Sequence, residues 1–385
     1  MILRNATLPD GRRHDIDLKD GRIAALLPPS KDAPALVALP PLVDGHIHLD
    51  KTLLGLPWVP NRAKGNAVSD SIEAERRVRA ERAVPEAVTG ANLVRQVVAS
   101  GTLHMRTHVD IDNQLGLRNL HAILQVRERF RDLVTIEIVA FPQSGILRSP
   151  GTAALLDEAA ASGADLIGGL DPVGIDGDLN GHLDPVFAIA GMRAKGIDIH
   201  LHDGGEAGLA QIDAIAERTA AAGLQGKVAI SHAFALGSVP LDMARRTADR
   251  LARAGVAIMS HGPGAAPMPP LLMLREHGVT VFAGSDNIRD AWSPFGNGDM
   301  LERAMLIGYR GNFRRDEELA FALDLVMTNA ATVLGLRDYG IKVDGPADLV
   351  LVEAGCAAEA VAARPARRMV IKAGRVVARD GALVT

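Results

Sequence analysis

The stretch VDGHIHLDK, residues 43–51, places two histidines two positions apart, following the apolar run ALPPLV. On a β-strand, residues i and i+2 point to the same face, so His46 and His48 would present two imidazoles side by side at a strand end. Catalytic zinc and iron sites take a few nitrogen and oxygen ligands and keep a position open for water. The pair therefore predicts half of a metal site, provided that the other half lies elsewhere in the chain.

Further histidines and one aspartate stand at the ends of later apolar runs; they are His108, His200, His202, His232, His261 and Asp286. His46 and His48 together with His200 and Asp286 would supply three imidazoles and one carboxylate. This set suits one divalent ion, either zinc or iron(II). A single histidine at a strand end can equally well line a hydrated rim, but the whole set favours a metal. Four other histidines fall in turns or helical stretches and are interpreted as solvated: His14, His121, His182 and His277.

Eight short apolar runs would position these side chains, and stretches of helical composition separate them. The runs span residues 39–48, 102–112, 134–143, 164–176, 196–203, 227–236, 256–264 and 279–287. Continuous apolar runs are typical of parallel strands buried on both faces, and the polar residues fall where a barrel builds its active site. The pattern predicts an α/β fold with a (β/α)8 TIM barrel. An open doubly wound sheet is the alternative, but no Gly-x-Gly-x-x-Gly or Walker loop follows an early strand.

The composition is that of an ordinary globular protein, with 48% hydrophobic and 23% charged residues among 385. A net charge of −4 gives no basic patch for nucleic acid or an anionic membrane. No apolar run approaches the roughly 18 residues of a spanning helix, and the N-terminus lacks a signal-peptide core. We therefore expect a cytoplasmic location. The single cysteine, Cys356, excludes an internal disulfide and the nucleobase deaminases that hold zinc through a Pro-Cys-x-x-Cys motif.

Six ordered motifs resemble those of the amidohydrolase superfamily, and within it the cytosine deaminase branch, which also contains the N-isopropylammelide isopropyl amidohydrolases. The motifs are VDGHIHLDK, THVDID, IVAFPQSGIL, IDIHLHD, ISHAFALG and GSDNIRDAWSPFGNGDML. The resemblance implies a metal-dependent deaminase acting on a C–N bond of cytosine or a related pyrimidine, purine or triazine. It also implies that the β-rich ends join into a small β-sandwich. Residues 1–38 and 341–385 would form this sandwich, and residues 39–340 the barrel.

The resemblance also assigns the residues that handle the metal and the protons. His46, His48 and His200 match metal ligands, and Asp286 matches a ligand that doubles as proton acceptor. His232 matches the histidine that touches the hydrolytic water and the substrate. The implied reaction is attack of activated water on the ring carbon that bears the amine.

Four more residues match positions that surround the substrate in that branch. Gln143 matches the glutamine that hydrogen-bonds the ring amide, and Phe141 and Trp292 match apolar walls that sandwich a flat ring. Core packing is the alternative for Phe141. Lys51 matches a lysine of the isopropylammelide branch, where a cation near the rim would suit an anionic or carbonyl-rich ring; otherwise it is a surface lysine.

The chain departs from the cytosine deaminase pattern at three positions. Asp203 stands where those enzymes carry a proton-shuttling glutamate, and a carboxyl there can still act as general acid or base. Glu206 is the alternative for that role, although a solvated acid at a helix start is favoured for it. Asn287 replaces a substrate-binding aspartate, which puts cytosine itself in doubt, and His202 replaces an acidic residue.

An N-alkylammelide-type amidohydrolase is the first alternative to a deaminase, and two further rival functions stay open on the same scaffold. A cyclic-amide hydrolase with two metals would need a bridging lysine on the fourth strand, and ADLIGGLDPVGID contains none. A catalytically inactive binding homologue would lose metal ligands, whereas the four matched ligands are all present. We therefore expect a small heterocyclic substrate, no nucleic-acid or membrane partner, and a homo-oligomer.

Overall fold

Eight parallel strands build a barrel, and each strand lies in one of the eight predicted runs. The computed structural model describes residues 1–31, 36–65 and 67–384. Its barrel strands are β5 (Leu42–Ile47), β6 (Thr102–Asp110), β7 (Thr135–Phe141), β8 (Leu166–Leu170), β9 (Gly196–Leu201), β10 (Val228–His232), β11 (Val256–Ser260) and β12 (Val281–Ala283). They pair in chain order from β5 to β12, and most of their residues are buried, as expected of strands covered on both faces. The predicted (β/α)8 barrel is confirmed.

The first and last barrel strands approach each other closely because two glycines permit it. The backbone N–H that follows β12, at Asp286, donates to the His46 carbonyl at 2.8 Å. A Cβ at Gly284 would lie 2.5 Å from the His46 backbone, and one at Gly45 would lie 2.4 Å from the Phe282 ring. Only glycine fits at these two positions, so the GHIH and AGSD motifs bring the side chains of His46, His48 and Asp286 together.

Helices surround the barrel and supply the outer half of its apolar core. They are α1 (Val68–Glu81), α2 (Glu86–Ala99), α3 (Arg118–Arg129), α4 (Thr152–Ala161), α5 (Leu179–Arg193), α6 (Gly205–Ala221), α7 (Ala235–Ser238), α8 (Leu241–Ala254), α9 (Leu271–Glu276), α10 (Met300–Arg310), α11 (Asp316–Asp324), α12 (Thr328–Val333) and α13 (Ala357–Ala363). Within the described ranges, no helix has the length and apolarity needed to cross a membrane.

Both ends of the chain form one mixed sheet beside the barrel, as the resemblance implied. Its strands are β1 (Ile2–Thr7), β2 (Arg13–Lys19), β3 (Arg22–Leu27), β4 (Leu36–Leu39), β13 (Leu349–Val352), β14 (Arg367–Lys372), β15 (Arg375–Arg379) and β16 (Ala382–Leu383). The order is β16-β15-β14-β13-β4-β1-β2-β3, so N- and C-terminal strands meet where β13 pairs with β4. Ile16 and Ile23 share an apolar core with Leu349 and Ile371. The domain boundaries at residues 38 and 340 stay predictions.

Candidate active site

A cavity of about 1080 Å³ opens at the carboxyl ends of the barrel strands, where barrel enzymes carry their active sites. Its polar lining includes His48, Gln143, His200, His202, Asp203, His232, His261, Asp286, Asn287 and Trp292. Most residues predicted for the site therefore border one space. Three others, His46, Lys51 and Phe141, lie behind this lining and are buried.

The floor of the cavity holds four donors from four different strand ends. The ligand atoms of His46, His200, His232 and Asp286 all lie within 4.8 Å of one another. This set includes His232, which the resemblance assigns to the water and substrate rather than to the metal. His48 adjoins it, because its Nε2 lies 3.3 Å from Asp286 Oδ1, and His46 Nε2 lies 3.6 Å from the same oxygen. Both imidazoles of the HxH motif are thus directed at one carboxylate oxygen.

The buried ring nitrogens of this cluster fit a divalent metal ion. Within the described part of the chain, Nε2 of His46, both nitrogens of His200 and Nε2 of His232 have no hydrogen-bond partner. A buried polar atom without a partner is costly, so several of them around one carboxylate form a set of donors that a cation would satisfy. Nitrogen and oxygen donors of this kind suit zinc or iron(II).

Electrostatics keep the donors in the protonation states that a metal requires. Burial lowers the pKa of His48 to about 4 and the pKa values of His200 and His232 well below the ordinary value, so these imidazoles are neutral. Burial alone would raise the pKa of Asp286, but His261 and His232 hold it well below its usual range. Neutral imidazoles and an ionised carboxylate are the forms that bind metals.

A buried chain of hydrogen bonds fixes the ring of His46. Its Nδ1 lies 2.9 Å from Ser231 Oγ, and that hydroxyl donates to Asp198 Oδ1 at 2.8 Å. Arg106 donates to the other oxygen of Asp198 at 3.0 Å. Because Nδ1 is engaged, Nε2 is left for the metal, and partners of this kind orient metal-binding histidines.

Two residues of the cluster adopt backbone conformations that non-glycine residues rarely occupy. His232, at the end of β10, has φ 73°, and Asp286, three residues after β12, has φ 61°. Such strain persists only where the surrounding structure enforces it, and it concentrates at functional sites. In this chain it turns both side chains into the cluster.

Gln143 and Lys51 form a pair at one side of the cavity. The Lys51 ammonium donates to Gln143 Oε1 at 2.7 Å and lies 2.8 Å from Asp110 Oδ1. Burial alone would lower the pKa of Lys51, but Asp110 and Glu75 raise it above its ordinary value. Since Gln143 Oε1 accepts from the ammonium, its Nε2 remains as a donor for a ligand. Lys51 thus lies deeper than the expected rim position and is not a surface lysine; it contacts Gln143 and does not border the cavity.

Trp292 borders the cavity and connects it to α1. Its Nε1 donates to Glu75 Oε2 at 2.6 Å, and Glu75 lies one helical turn before Arg79, its ion-pair partner. Ile72 of the same helix packs in an apolar cluster that includes Trp292. Helix α1 therefore covers the cavity.

Phe141 is a core residue and not the expected wall. Its side chain is 1% exposed, does not border the cavity and stacks on the His200 ring at a centroid distance of 4.1 Å. It supports the ring of His200 from behind. The alternative of core packing is therefore the correct one.

His202 and Asp203 both border the cavity, and His202 is the one that stacks on a histidine of the donor cluster. Asp203 borders the cavity, but its Oδ2 accepts from both Gly174 N and Gln211 Nε2 at 2.9 Å. His202 stacks on His232 at 4.4 Å, and its Nδ1 lies 2.7 Å from Asp171 Oδ2. Burial alone would lower the pKa of His202, but the Asp171 carboxylate raises it above its ordinary value. The two-residue spacing in HLHD, which places His200 and His202 on one strand face, is the signal that identifies this residue.

His182 is not solvated, contrary to the sequence interpretation. The side chain is buried, its Nδ1 lies 2.7 Å from Asp176 Oδ2, and its Nε2 accepts from Leu170 N at 3.2 Å. It anchors α5 to the end of β8. This role is structural, because His182 does not border the cavity.

Comparison with known families agrees with this geometry. The sequence profile of the amidohydrolase family matches residues 32–378. The chain belongs to the amidohydrolase family. It is therefore a hydrolase of carbon–nitrogen bonds from a metal-dependent family, and the buried His/Asp cluster is consistent with that dependence.

Three relatives within the family illustrate the range of its substrates. The crystal structure of N-isopropylammelide isopropylaminohydrolase from Burkholderia multivorans has 47% sequence identity and a TM-score of 0.94, covering 100% of this chain and 99% of that one. N-isopropylammelide isopropyl amidohydrolase of Pseudomonas sp. (strain ADP) is 30% identical over 399 residues, 100% of this chain and 98% of that protein. The structure of 5-methylcytosine deaminase from Klebsiella pneumoniae with 5-fluorocytosine has 26% sequence identity and a TM-score of 0.88, covering 98% of this chain and 97% of that one.

Proposed function

We propose that this protein is a metal-dependent aminohydrolase that releases an alkylamine, or ammonia, from an oxo-substituted triazine or pyrimidine ring. N-alkylated ammelides are the preferred substrates in this proposal. The observation that carries it is the cluster of histidines and Asp286 at the floor of a cavity, with the Gln143–Lys51 pair at its side. The similarity to the two isopropylammelide enzymes supports the choice of leaving group.

The side chains around the cluster suit a flat ring that carries carbonyl groups. The free Nε2 donor of Gln143 pairs with a ring carbonyl, and the Trp292 indole stacks on the ring face. The nearby Lys51 cation strengthens the Gln143 donor, because a hydrogen bond to one end of an amide polarises the other. A carbonyl-rich ring is thus recognised by a donor and an aromatic face.

The donor cluster would hold one divalent ion through His46, His48, His200 and Asp286. When bound, such an ion supplies Lewis-acid chemistry that makes water nucleophilic at neutral pH. His232 orients the attacking water from the neighbouring strand end. Asp286 is ionised in the folded protein. It accepts a proton from that water while the water oxygen bonds to the ring carbon.

His202 supplies the second proton-transfer group. Its protonated imidazole, held by Asp171, donates to the adjacent ring nitrogen as the carbon becomes tetrahedral. The proton held by Asp286 then passes to the amine and the C–N bond breaks. The added hydroxyl loses its proton, which restores the protonated form of His202, and the ring carbon becomes a carbonyl. Water is consumed and one amine is released, and acid and base groups on two sides of one carbon suit this hydrolysis.

Amine release by metal-loaded and chelated protein tests this proposal. The panel contains N-isopropylammelide, ammelide, cytosine, 5-methylcytosine, isoguanine and creatinine, with ammonia or alkylamine measured as appropriate. We expect metal-dependent isopropylamine release to be the fastest reaction. If a stoichiometric metal is bound and no compound on the panel loses its amine, the substrate class is wrong and cyclic amides are the next candidates.

A further inference from the structure

Asn287 borders the cavity directly after Asp286, and its side-chain amide is held at one end. Its Nδ2 donates to Asp290 Oδ2 at 2.7 Å. Within the described residues, its Oδ1 accepts no hydrogen bond, so this carbonyl is available to a ligand. The amide thus presents an acceptor beside the donor cluster.

The chemistry of Asp290 fixes this orientation. An ionised carboxylate can only accept hydrogen bonds, whereas an amide has one donor end and one acceptor end. Asn287 must therefore direct its NH₂ group at Asp290 and its carbonyl away from it. The opposite orientation would place two acceptor oxygens in contact.

Asp290 itself cannot rotate away from Asn287. Its Oδ1 accepts from the backbone N–H groups of Trp292 and Ser293 at 2.8 and 2.9 Å, and the residue is 5% exposed. Burial raises its pKa to about 7, although the hydrogen bonds from the Ser293 N–H and the Asn287 amide act in the opposite direction. Above that pH the carboxylate is ionised, as the orientation of Asn287 requires.

We propose that Asp290 is a positioning residue that sets substrate specificity: it holds the Asn287 carbonyl toward the cavity, so that the site selects ligands with an N–H next to the reacting carbon. The inference rests on the proposed function, because Asp286 and the donor cluster locate that carbon. The N–H belongs either to the leaving amine or to an adjacent ring nitrogen. Both sources present the same hydrogen-bond donor.

A pair of isomeric substrates isolates this N–H. N-ethylammelide and N,N-dimethylammelide contain the same atoms and yield the same ring product, but only the former has an N–H on the leaving amine. A third compound, N-ethylammelide methylated at the ring nitrogen beside the reacting carbon, removes the ring N–H instead. Selectivity for the leaving amine would appear in the first comparison and selectivity for the ring in the second.

The measurements are kcat/KM and ligand-induced thermal shift of metal-loaded protein at about pH 8, where Asp290 is ionised. We expect the wild type to prefer the compound with the N–H by about tenfold to a hundredfold, the effect of one unmet hydrogen bond. Asp290→Asn retains an oxygen for the two backbone N–H groups but places an NH₂ group against Asn287. The Asn287 side-chain amide then rotates by half a turn to face this NH₂ group with its carbonyl. The preference for the N–H compounds therefore falls toward unity.

The exchanged pair, Asn287→Asp with Asp290→Asn, is the rescue variant. The carboxylate introduced at position 287 accepts from the new amide at position 290 through one oxygen and presents its other oxygen to the cavity. The preference for an N–H should therefore return, whatever the absolute rate. A purely structural role for Asp290 predicts no change of preference in the single variant and none in the exchange.

Equal treatment of all three compounds by the wild type would overturn the inference, as would an unchanged preference in Asp290→Asn. The proposed function fails separately. Suppose that no compound is hydrolysed, but that the N–H compounds still give the larger thermal shift, that Asp290→Asn loses this difference and that the exchanged pair regains it. The role of Asp290 in specificity is then correct and the proposed reaction is wrong. If hydrolysis occurs without preference, the reaction stands and the role of Asp290 is wrong.

Discussion

His202 and Asp203, which follow β9 directly, are the two candidates for the proton donor. His202 stacks on His232 and is held by Asp171, whereas the Asp203 carboxylate binds Gly174 N and Gln211. We expect His202→Asn to lower kcat/KM by about a hundredfold or more, the usual contribution of a general acid, and Asp203→Asn to lower it less than about tenfold. Steady-state kinetics with N-isopropylammelide compare the two variants, and metal content controls for loss of the ion. The reverse order of effects would restore Asp203 as the acid.

The ligand set contains one histidine more than a four-ligand site needs. Both HxH imidazoles are directed at Asp286 Oδ1, while His232 Nδ1 lies 3.2 Å from His261 Nδ1. We therefore expect His48→Ala to bind metal at least about a hundredfold more weakly, because a ligand is lost. His232→Ala should retain the ion but lose turnover. Metal per chain after dialysis, measured by mass spectrometry, decides between them, and metal loss in His232→Ala would make His232 the ligand.

Burial of Asp290 links the stability of the fold to pH. Its pKa is about 7 in the folded protein and near 4 when unfolded, so the folded state binds more protons between these values. The free energy of unfolding should therefore fall as pH rises through this window, by up to about 4 kcal/mol. Asp290→Asn removes this group. Urea unfolding of the wild type and of Asp290→Asn at several pH values tests the prediction. It would be contradicted if the difference in their free energy of unfolding did not change with pH.

Among the elements, α1 connects the substrate wall to the rest of the barrel. Its Glu75 accepts from the Trp292 indole and pairs with Arg79, which also bonds Asp110 of β6. Trp292→Phe keeps an aromatic wall but removes a buried hydrogen bond to a charged group, worth about 1.5–3 kcal/mol. We expect KM to rise roughly tenfold and amide hydrogen exchange in α1 to become faster.

The second tryptophan of the chain provides the control for this variant. Trp58 is 62% exposed and does not border the large cavity. Trp58→Phe should leave both KM and the exchange of α1 unchanged. Unchanged exchange in Trp292→Phe as well would show that α1 is held independently of the indole.

At the scale of the whole molecule, one buried arginine joins the terminal sheet to the barrel. Arg367 of β14 pairs with Asp299, the residue that caps α10, and donates to the carbonyl of Ser100 at the end of α2. Arg367→Met should destabilise the fold by roughly 3 kcal/mol, because Asp299 loses its partner in a largely buried place. The neighbouring Arg368, about half exposed, pairs with Glu353 and Asp380.

Arg368→Met is the matched control and should cost less than about 1 kcal/mol, as exposed ion pairs do. Urea unfolding followed by circular dichroism measures both variants. Equal effects would show that the sheet is joined to the barrel mainly by apolar contacts.

The pattern of apolar residues predicted the architecture because a strand that is buried on both faces consists of a continuous apolar run. Each of the eight runs contains one barrel strand, and the β character of both ends reflects one shared sheet. The positions of the side chains within the site were less predictable. Phe141 and Lys51 lie behind the cavity lining, since the spacing along a strand specifies a face but not the depth at which a side chain ends.

The sequence by itself determined the barrel, the clustering of His46, His48, His200 and Asp286, and the family, because strand-end positions converge wherever a barrel closes. Only the tertiary structure decided which of His202 and Asp203 stacks on the donor cluster and which way the amides face. Those choices depend on contacts between residues far apart in the chain: Asp171 with His202, and Lys51 with Gln143. A hydrogen bond selects a donor or an acceptor only when both partners are held in place, and the folded chain alone holds them.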